Sequence, residues 1–371
     1  MAEIDVTYSL DGVSFSSMGV YVSGSTGIIG KPGVKDHLKA DWSEHNGTMR
    51  DLQNLRYDGK SVELNCFIVA DGYGDFLSKA QSFLSILENG TLHTLVCTVG
   101  ARSFTMPNMY QHKEIKITKN WNPAKMIGTF NLKLDQSVPT SVPGRVTVFT
   151  APSYTNDGDV HYSVDGVDFN THGVMVTASS GLFDKPSQKA PLTVDWNDAN
   201  GVQMYTGAPA LFNERTIELS CTVYAETYSA FIQKATAFAN LFGGTGTHRL
   251  RVWTGTKPLV YEVYAPNEIS IKPNGWDAVH QVGTFSVKLV EPEPVKIVLQ
   301  MSGSASITIA STTIAHIYWG DGSHIYNVSG DGTAQTVQHT FTGTYEVIIT
   351  VETTSVSKLT HNGTVLWNRL V

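Results

Sequence analysis

The sequence predicts a mainly β protein of the α+β class. It indicates two tandem β-sandwich or barrel domains that each carry one packed helix, followed by a smaller β-domain. The chain of 371 residues contains 33 glycines and 15 tyrosines, a composition typical of strands and tight turns. A hydrophobic fraction of 41% is enough for packed cores. A long internal repeat marks two copies of one domain, and the C-terminal part of the chain matches neither copy.

The repeat begins with two almost identical hairpin sequences. YSLDGVSF at 8–15 returns as YSVDGVDF at 162–169. The match continues for about 125 residues, with register changes of one residue. Further matched segments are Lys31-Pro32 with Lys185-Pro186, Asp41-Trp42 with Asp195-Trp196, VELNC 62–66 with IELSC 217–221, EIKI 114–117 with EISI 268–271, Trp121 with Trp276, and GTFNLKL 128–134 with GTFSVKL 283–289. Chance does not keep one register for so long, so the sequence contains a duplicated domain.

Each copy contains one predicted helix between alternating strands. Phe76, Ala80 and Phe83 form a single apolar stripe at helical spacing, and the second copy repeats the stripe from Phe231. We expect Phe83 to be buried against its sheet. The cysteines of VELNC and IELSC fall within alternating strands, where we expect them to act as small buried side chains.

Proline-rich segments divide the chain into domains. We predict a first repeat at 1–140, a linker at 141–159, a second repeat at 160–292 and a third domain at 295–371. The third domain contains IYWGDGS and QHTFTGTYEVIITV, which resemble the hairpin and closing strand of PKD-type immunoglobulin-like β-sandwich domains. That resemblance implies a spacer or surface decoration.

No motif in the sequence indicates catalysis or a bound cofactor. The HExxH, GxSxG, Walker A and GxGxxG patterns are absent, and the three cysteines form no CxxC pair. Acidic turns such as WGDGS offer one or two carboxylates, whereas a calcium loop uses about six to eight oxygens, so we interpret them as hairpin turns. We therefore predict no enzymatic activity, no cofactor, and no catalytic, cofactor-binding or metal-binding residues.

Two kinds of side chain recur at the same place in both copies. His93 and His248 are interpreted as structural polar residues rather than as halves of a metal site. Trp42 and Trp196 have the chemistry to stack on a sugar or base, but their repetition favours core or interface anchors. No apolar run is long enough to span a membrane, and the N-terminal residues lack the pattern of a secretory leader. We therefore expect cytoplasmic synthesis and no membrane insertion.

The repeated unit resembles the ring-forming domain of phage distal tail and tail-tube proteins. The resemblance rests on the YSxDGVxF hairpin, the strand VELNC or IELSC, the amphipathic helix and the closing strand GTFxxKL, and it covers about residues 4–291. It implies a structural virion protein of a phage tail, made in the host cytoplasm, that forms a ring or tube around DNA. Because one chain carries two such domains, a homotrimer would form a ring with pseudo-six-fold symmetry.

The resemblance also implies partners. These are stacked rings of the same chain, other tail proteins, and DNA that passes through the lumen without specific binding. The domain at 295–371 would point outward, contact a host surface weakly and be dispensable for ring formation. The net charge is −7, with most of the acidic excess in the second repeat, which fits a channel that repels phosphate. Asp184, Asp198 and Glu226 are candidates for the channel lining.

Two points stay open at the level of sequence. The component is either a tail tube or a distal tail or baseplate ring, and the loops at 31–48 and 185–202 are expected to be free to reach a neighbour. The alternative function is a secreted or surface bacterial adhesin that binds glycans through its third domain and exposed tryptophans.

Overall fold

The computed structural model is mainly β, with two α-helices among the residues that it describes, so the predicted fold class is confirmed. The described residues are 6–43, 45–121, 125–139, 144–145, 149, 153–154, 158–191, 193–198, 200–204, 210–273 and 281–368. Most of the predicted linker at 141–159 lies outside them. So does Trp276, the predicted counterpart of Trp121.

The first repeat consists of eight strands in two halves of four, three short strands outside these halves, and one helix. Its elements are β1 (Val6–Leu10), β2 (Val13–Ser14), β3 (Val20–Thr26), β4 (Gly30–Lys31), β5 (Lys39–Ala40), β6 (Met49–Arg50), β7 (Lys60–Ala70), α1 (Tyr73–Glu88), β8 (His93–Val99), β9 (Arg102–Tyr110), β10 (Thr118–Trp121) and β11 (Met126–Gln136). The halves have the strand orders β2-β1-β8-β9 and β3-β7-β11-β10. They join where β9 pairs with the end of β11, with Tyr110 opposite Asp135.

The second repeat has the same topology. Its elements are β12 (His161–Val164), β13 (Val167–Asp168), β14 (Val174–Ser180), β15 (Thr193–Asp195), β16 (Val202–Met204), β17 (Arg215–Ala225), α2 (Tyr228–Asn240), β18 (His248–Trp253), β19 (Pro258–Val263), β20 (Ile269–Ser270), β21 (Lys272–Pro273) and β22 (Gln281–Glu291). The halves are β13-β12-β18-β19 and β14-β17-β22-β21. A bridge between Tyr264 and Val290 joins them at the position that Tyr110 and Asp135 occupy in the first repeat.

Both repeats begin with the same two-residue hairpin turn. Asp11 and Gly12 have φ angles of 51° and 82°, the left-handed conformation that such a turn requires at both positions. The carboxylate of Asp11 then lies 2.7 Å from Nδ1 of His93 on the adjacent strand. Asp165 (φ 49°) and His248 repeat this contact at 2.7 Å. The repeated octapeptide therefore fixes the hairpin to its neighbour, and both histidines have a structural contact.

The predicted apolar stripes of the helices face the core. Phe83 is fully buried, with its ring centre 5.3 Å from that of Phe15 and 5.2 Å from that of Phe130. In the second repeat Phe238 packs in the same way, edge-to-face on Phe169 at 4.9 Å. The two helices thus occupy equivalent positions on their sheets.

The repeated cysteines and tryptophans differ in their burial. Cys66 and Cys221 are buried in the equivalent strands β7 and β17, as expected of small apolar side chains. Trp42 and Trp196 are 47% and 52% exposed. Of the two predicted roles, core or interface anchor, the core role is wrong, because each tryptophan follows a short strand, β5 or β15, in an exposed connection. The interface role stays a prediction.

The C-terminal module, residues 296–368, is built on two long strands. Its elements are β23 (Lys296–Ser311), β24 (Ala315–Tyr318), β25 (His324–Val328), β26 (Gln335–Thr350), β27 (Val356–His361) and β28 (Thr364–Asn368). β23 and β26 pair along most of their length, with a register shift between Ser302 and Ser304. Hydrogen bonds link all six strands into one sheet around the buried Trp319. The immunoglobulin-like assignment stays a prediction.

The repeats share one hydrophobic core, whereas the C-terminal module has its own. A smaller apolar cluster joins the module to the second repeat through Val260, Val298, Tyr318 and Ile348. Arg249 of the second repeat also donates to the carbonyl of Tyr318 at 3.4 Å. The module is therefore packed on the second repeat through buried contacts.

Candidate assembly interface

The described residues contain no group of side chains arranged to hold a metal ion. No helix among them is long and apolar enough to cross a membrane. Burial raises the pKa of Cys66 to about 12 and that of Cys97 to about 11, so these thiols are not activated nucleophiles. The most extensive feature of possible functional importance is instead the contact between the two repeats.

A short antiparallel strand pair joins the repeats. Lys31 of β4 lies opposite Ile269 of β20, and the amide of Ile271 donates to the carbonyl of Ile29 at 3.1 Å. Gly30 has a φ of 147°, and a Cβ at this position would lie 1.9 Å from the carbonyl oxygen of Ile269. Only glycine allows the two backbones to approach this closely.

The Lys31 ammonium is buried in this contact. Its Nζ donates to the carbonyl of Ala265 in the second repeat at 3.0 Å and to that of Pro32 at 3.2 Å. It also lies 5.3 Å from the centre of the Tyr57 ring. Burial lowers the pKa of Lys31 to about 8, because the charged form loses its hydration. The side chain therefore ties the first repeat to the second by charge-assisted hydrogen bonds.

Helix α2 packs against both repeats. Tyr228 and Ile232 are 4% and 1% exposed, although they lie off the stripe that faces their own sheet. They line a narrow gap with residues of the first repeat: Ser25, Thr26, Ile28, Ile29, Cys97, Val99 and Phe104. Leu77 of α1, the counterpart of Ile232, is 44% exposed. The second helix thus has an additional buried face that the first helix lacks.

The loop at 31–48 lies on the second repeat of its own chain, so the expectation that it is free is wrong. Within the loop, the amides of Val34 and Gly47 donate to the carbonyls of Pro266 and Phe212 of the second repeat at 2.7 Å each. The strand that follows the loop carries Arg50, whose Nη2 binds the carboxylate of Glu214 at 2.8 Å. Farther along, Leu52 packs in a small apolar cluster with Tyr264 of the second repeat. Contacts between distant parts of the chain hold this loop, and its own sequence does not reveal them.

The equivalent loop at 185–202 is more open in its described part. Lys189 holds one part of it, since its Nζ donates to the carbonyls of Trp42 and Gly47 at 2.8 Å each. The hairpin of β15 and β16 exposes a set of apolar side chains. These are Val194, Trp196, Val202 and Met204.

The three acidic residues predicted to line a channel are all exposed. Asp198 and Glu226 lie on the surface of the second repeat. Asp184 accepts a hydrogen bond from the amide of Gly181 at 3.1 Å, at the turn before the open loop. Asp184 therefore also has a local role in shaping that turn.

Sequence reasoning missed the second apolar face of the helices. Leu77 and Ile232 occupy matching places off the phenylalanine stripe, so the duplication itself repeats this face. An apolar residue that recurs on an otherwise solvent-facing side is the signal that could have indicated a contact between domains.

Among solved structures, the chain is similar to the Dit protein of phage SPP1, described as a paradigm of the hub adsorption apparatus in phages that infect Gram-positive bacteria. The similarity has a TM-score of 0.32 and 10% sequence identity, and it covers 52% of this chain and 95% of that one. No protein-family model matches the chain. No curated protein matches it.

Proposed function

We propose that the protein is a structural component of a phage tail, in which three chains form a ring or tube around a DNA channel. The contact between the repeats is the observation that supports this proposal. It joins two copies of one fold through different surfaces, namely the loop with β4 on the first repeat and β20 with α2 on the second.

A contact between different surfaces of two equivalent units can continue in the same direction. It closes into a ring when the rotation from unit to unit divides a full turn, and it otherwise gives a filament. Because each chain supplies two units, three chains fill the six positions of a ring with pseudo-six-fold symmetry. Ring closure also covers sheet edges that would otherwise invite aggregation. Both a tail tube and a distal tail ring fit this arrangement.

The charge of the second repeat suits a channel for nucleic acid. Asp198 and Glu226 are exposed, and neither takes part in the ion pairs found among the described residues. A lumen lined by carboxylates repels phosphate, so DNA passes without binding. The DNA is therefore cargo that the ring does not recognise by sequence.

The C-terminal module decorates the outside of the ring in this proposal. Its buried contacts with the second repeat, centred on Val260 and Tyr318, hold it to one side of that domain. Its deletion leaves the ring-forming surfaces of both repeats in place, but we expect it to lower the stability of the second repeat, because it would expose Val260 and the guanidinium of Arg249, which donates to the carbonyl of Glu346. Its outer surface is available for weak contact with a host.

The exposure of Trp196 favours a second candidate function. An exposed indole is a platform on which a sugar ring can stack, as an adhesin would require. Trp196 is held by a hydrogen bond from Nε1 to Gln203 at 3.0 Å, which fixes the plane of the ring. Glycan binding by a monomeric protein would support this candidate.

Native mass spectrometry with electron microscopy of the purified protein tests the proposal. We expect particles of three chains, each of 40.4 kDa, around a central channel. Six chains in one ring would show that the two repeats do not occupy equivalent positions, which contradicts the trimer. A stable monomer at high protein concentration would refute the ring and favour the adhesin.

A further inference from the structure

The contact between the repeats uses only half of the binding surfaces that the duplication supplies. In this contact we call residues 27–34 of the first repeat the donor loop. The surface that it binds on the second repeat, formed by β20 and the face of α2 with Tyr228 and Ile232, we call the acceptor. The second repeat has its own donor loop at 181–188, and the first has its own acceptor, formed by 111–117 and α1. Each chain therefore has one donor and one acceptor that its internal contact does not use.

The second donor loop keeps the shape of the first without the internal contact. Lys185 Nζ lies 4.9 Å from the centre of the Phe212 ring, and its counterpart Lys31 lies 5.3 Å from the ring of Tyr57. Phe212 forms a backbone bridge to Gln188, as Tyr57 does to the first donor loop. The loop is thus preformed, which reduces the entropy cost of docking.

The second donor loop exposes the side chains that the first one buries. Phe183 is 76% exposed, whereas its counterpart Ile29 is 6% exposed. Lys185 is likewise exposed, whereas Lys31 is buried. A large aromatic side chain held outward on an ordered loop is typical of an interface anchor.

The acceptor of the first repeat is open in the same way. Residues 111–117 pair with no strand in the part of the chain that the structure describes, whereas their counterparts include β20. Ile115 and Ile117 are half-buried, and the matching Ile269 and Ile271 are fully buried. The added burial in the second repeat comes from the first donor loop, so the same surface on the first repeat lacks its cover.

We propose that the donor loop of the second repeat binds the acceptor of the first repeat in a second copy of this chain. This inference rests on the proposed ring and identifies the surfaces that close it. Phe183 lies against Leu77 and Ile117 of the neighbour, as Ile29 lies beside Ile232 and Ile271, and the Lys185 ammonium donates to the carbonyl of Gln111. The internal contact of each chain is the pattern for this contact, which makes a second copy the occupant that fits best.

One difference between the donor loops adds a charge pair to the contact between chains. Gly30 of the first loop lies opposite Ser270, and their counterparts are Asp184 and Lys116. Asp184 is not among the residues with positive φ, so the backbone of the second loop departs there from that of Gly30. Within its own chain the exposed Lys116 ammonium lies 3.3 Å from the carboxylate of Glu114. In the contact between chains, an ion pair of Lys116 with the Asp184 carboxylate replaces the close backbone approach.

Two variants that each block one half of the contact test this inference. Phe183→Asp blocks the donor and leaves the acceptor intact, whereas Leu77→Asp blocks the acceptor and leaves the donor intact. Ile314→Asp is the control, since Ile314 is an exposed apolar residue of the C-terminal module. Native mass spectrometry and sedimentation velocity give the number of chains in each sample.

We expect the wild type and Ile314→Asp to form the same ring and each blocked variant alone to be monomeric. An equimolar mixture of the two blocked variants should form a dimer of one chain each, because only one intact donor meets one intact acceptor. That dimer also shows that both variants are folded. The inference is overturned if either variant alone assembles like the wild type, or if the mixture stays monomeric. Rings from both blocked variants would leave the proposed function intact, whereas a monomeric wild type would refute both.

Discussion

Replacing Lys31 by methionine should change how stability depends on pH. The pKa of Lys31 is about 8 in the folded chain, against 10.5 for a lysine in water, which represents the unfolded chain. Below pH 8 the ammonium is charged in both states, and its burial lowers stability. Between pH 8 and 10.5 the unfolded state binds more protons, so stability rises with pH. The shift corresponds to about 3 kcal/mol in full, of which about 2.5 kcal/mol is recovered between pH 7 and pH 10.

The variant lacks this titration. The methionine side chain would keep the length of the lysine but leave the carbonyls of Ala265 and Pro32 without this donor, a cost that does not vary with pH. Wild type should therefore gain about 2.5 kcal/mol relative to Lys31→Met between pH 7 and pH 10. Buried cysteines act in the opposite direction, because burial raises the pKa of Cys221 to about 12, but they are present in both proteins and cancel in the difference.

Urea unfolding at pH 7 and pH 10 gives the four free energies of unfolding that this comparison needs. All proteins carry Phe183→Asp, so that assembly between chains does not enter the measurement. Lys185→Met is the matched control, since its side chain is exposed, and it should leave the pH dependence of the free energy unchanged. If the difference in free energy of unfolding between wild type and Lys31→Met is the same at pH 7 and pH 10, Lys31 is not buried as an ammonium. The reasoning about the contact would then be wrong.

Three further predictions concern the core, the turn and the contact between chains. Phe83→Ala should lower the free energy of unfolding by about 3–5 kcal/mol, because Phe83 is fully buried, and an unchanged melting temperature would contradict this. Burial acts to raise the pKa of Asp165, but the hydrogen bond and charge of His248 lower it overall, so its contribution to stability is lost as pH falls below 3.8. Asp165→Asn should therefore reduce the fall in melting temperature at acidic pH, and an unchanged fall would exclude this role. Asp184→Lys and Lys116→Glu should each weaken ring formation, measured as the concentration for half assembly, and the double variant should restore it; no restoration would argue against the ion pair.

The sequence predicted features that depend on local patterns. The hairpins follow from Asp-Gly turns, and the helices follow from stripes such as that of Phe83, since period and turn chemistry act within a few residues. The exposed position of Trp42 and the docking of the loop at 31–48 were not predicted. Both depend on contacts with a distant part of the chain, such as those of Lys189 with Trp42 and Gly47. The two loops also look alike in sequence, so periodicity alone does not show which one is covered.

Gly30 and Asp184 occupy equivalent positions in the two donor loops. They give the contact within one chain and the contact between chains different chemistry. A second-repeat donor on a second-repeat acceptor would place Asp184 opposite Ser270, without a cation. A first-repeat donor on a first-repeat acceptor would leave Lys116 opposite Gly30, with no carboxylate from the donor loop and only that of Glu114 in its own segment. Both mismatched pairings lose the ion pair between Asp184 and Lys116. The internal contact forms at the high effective concentration of one chain, so each chain presents only the remaining donor and acceptor to its neighbours. Alternation of the two repeats around the ring therefore follows from this one pair of positions.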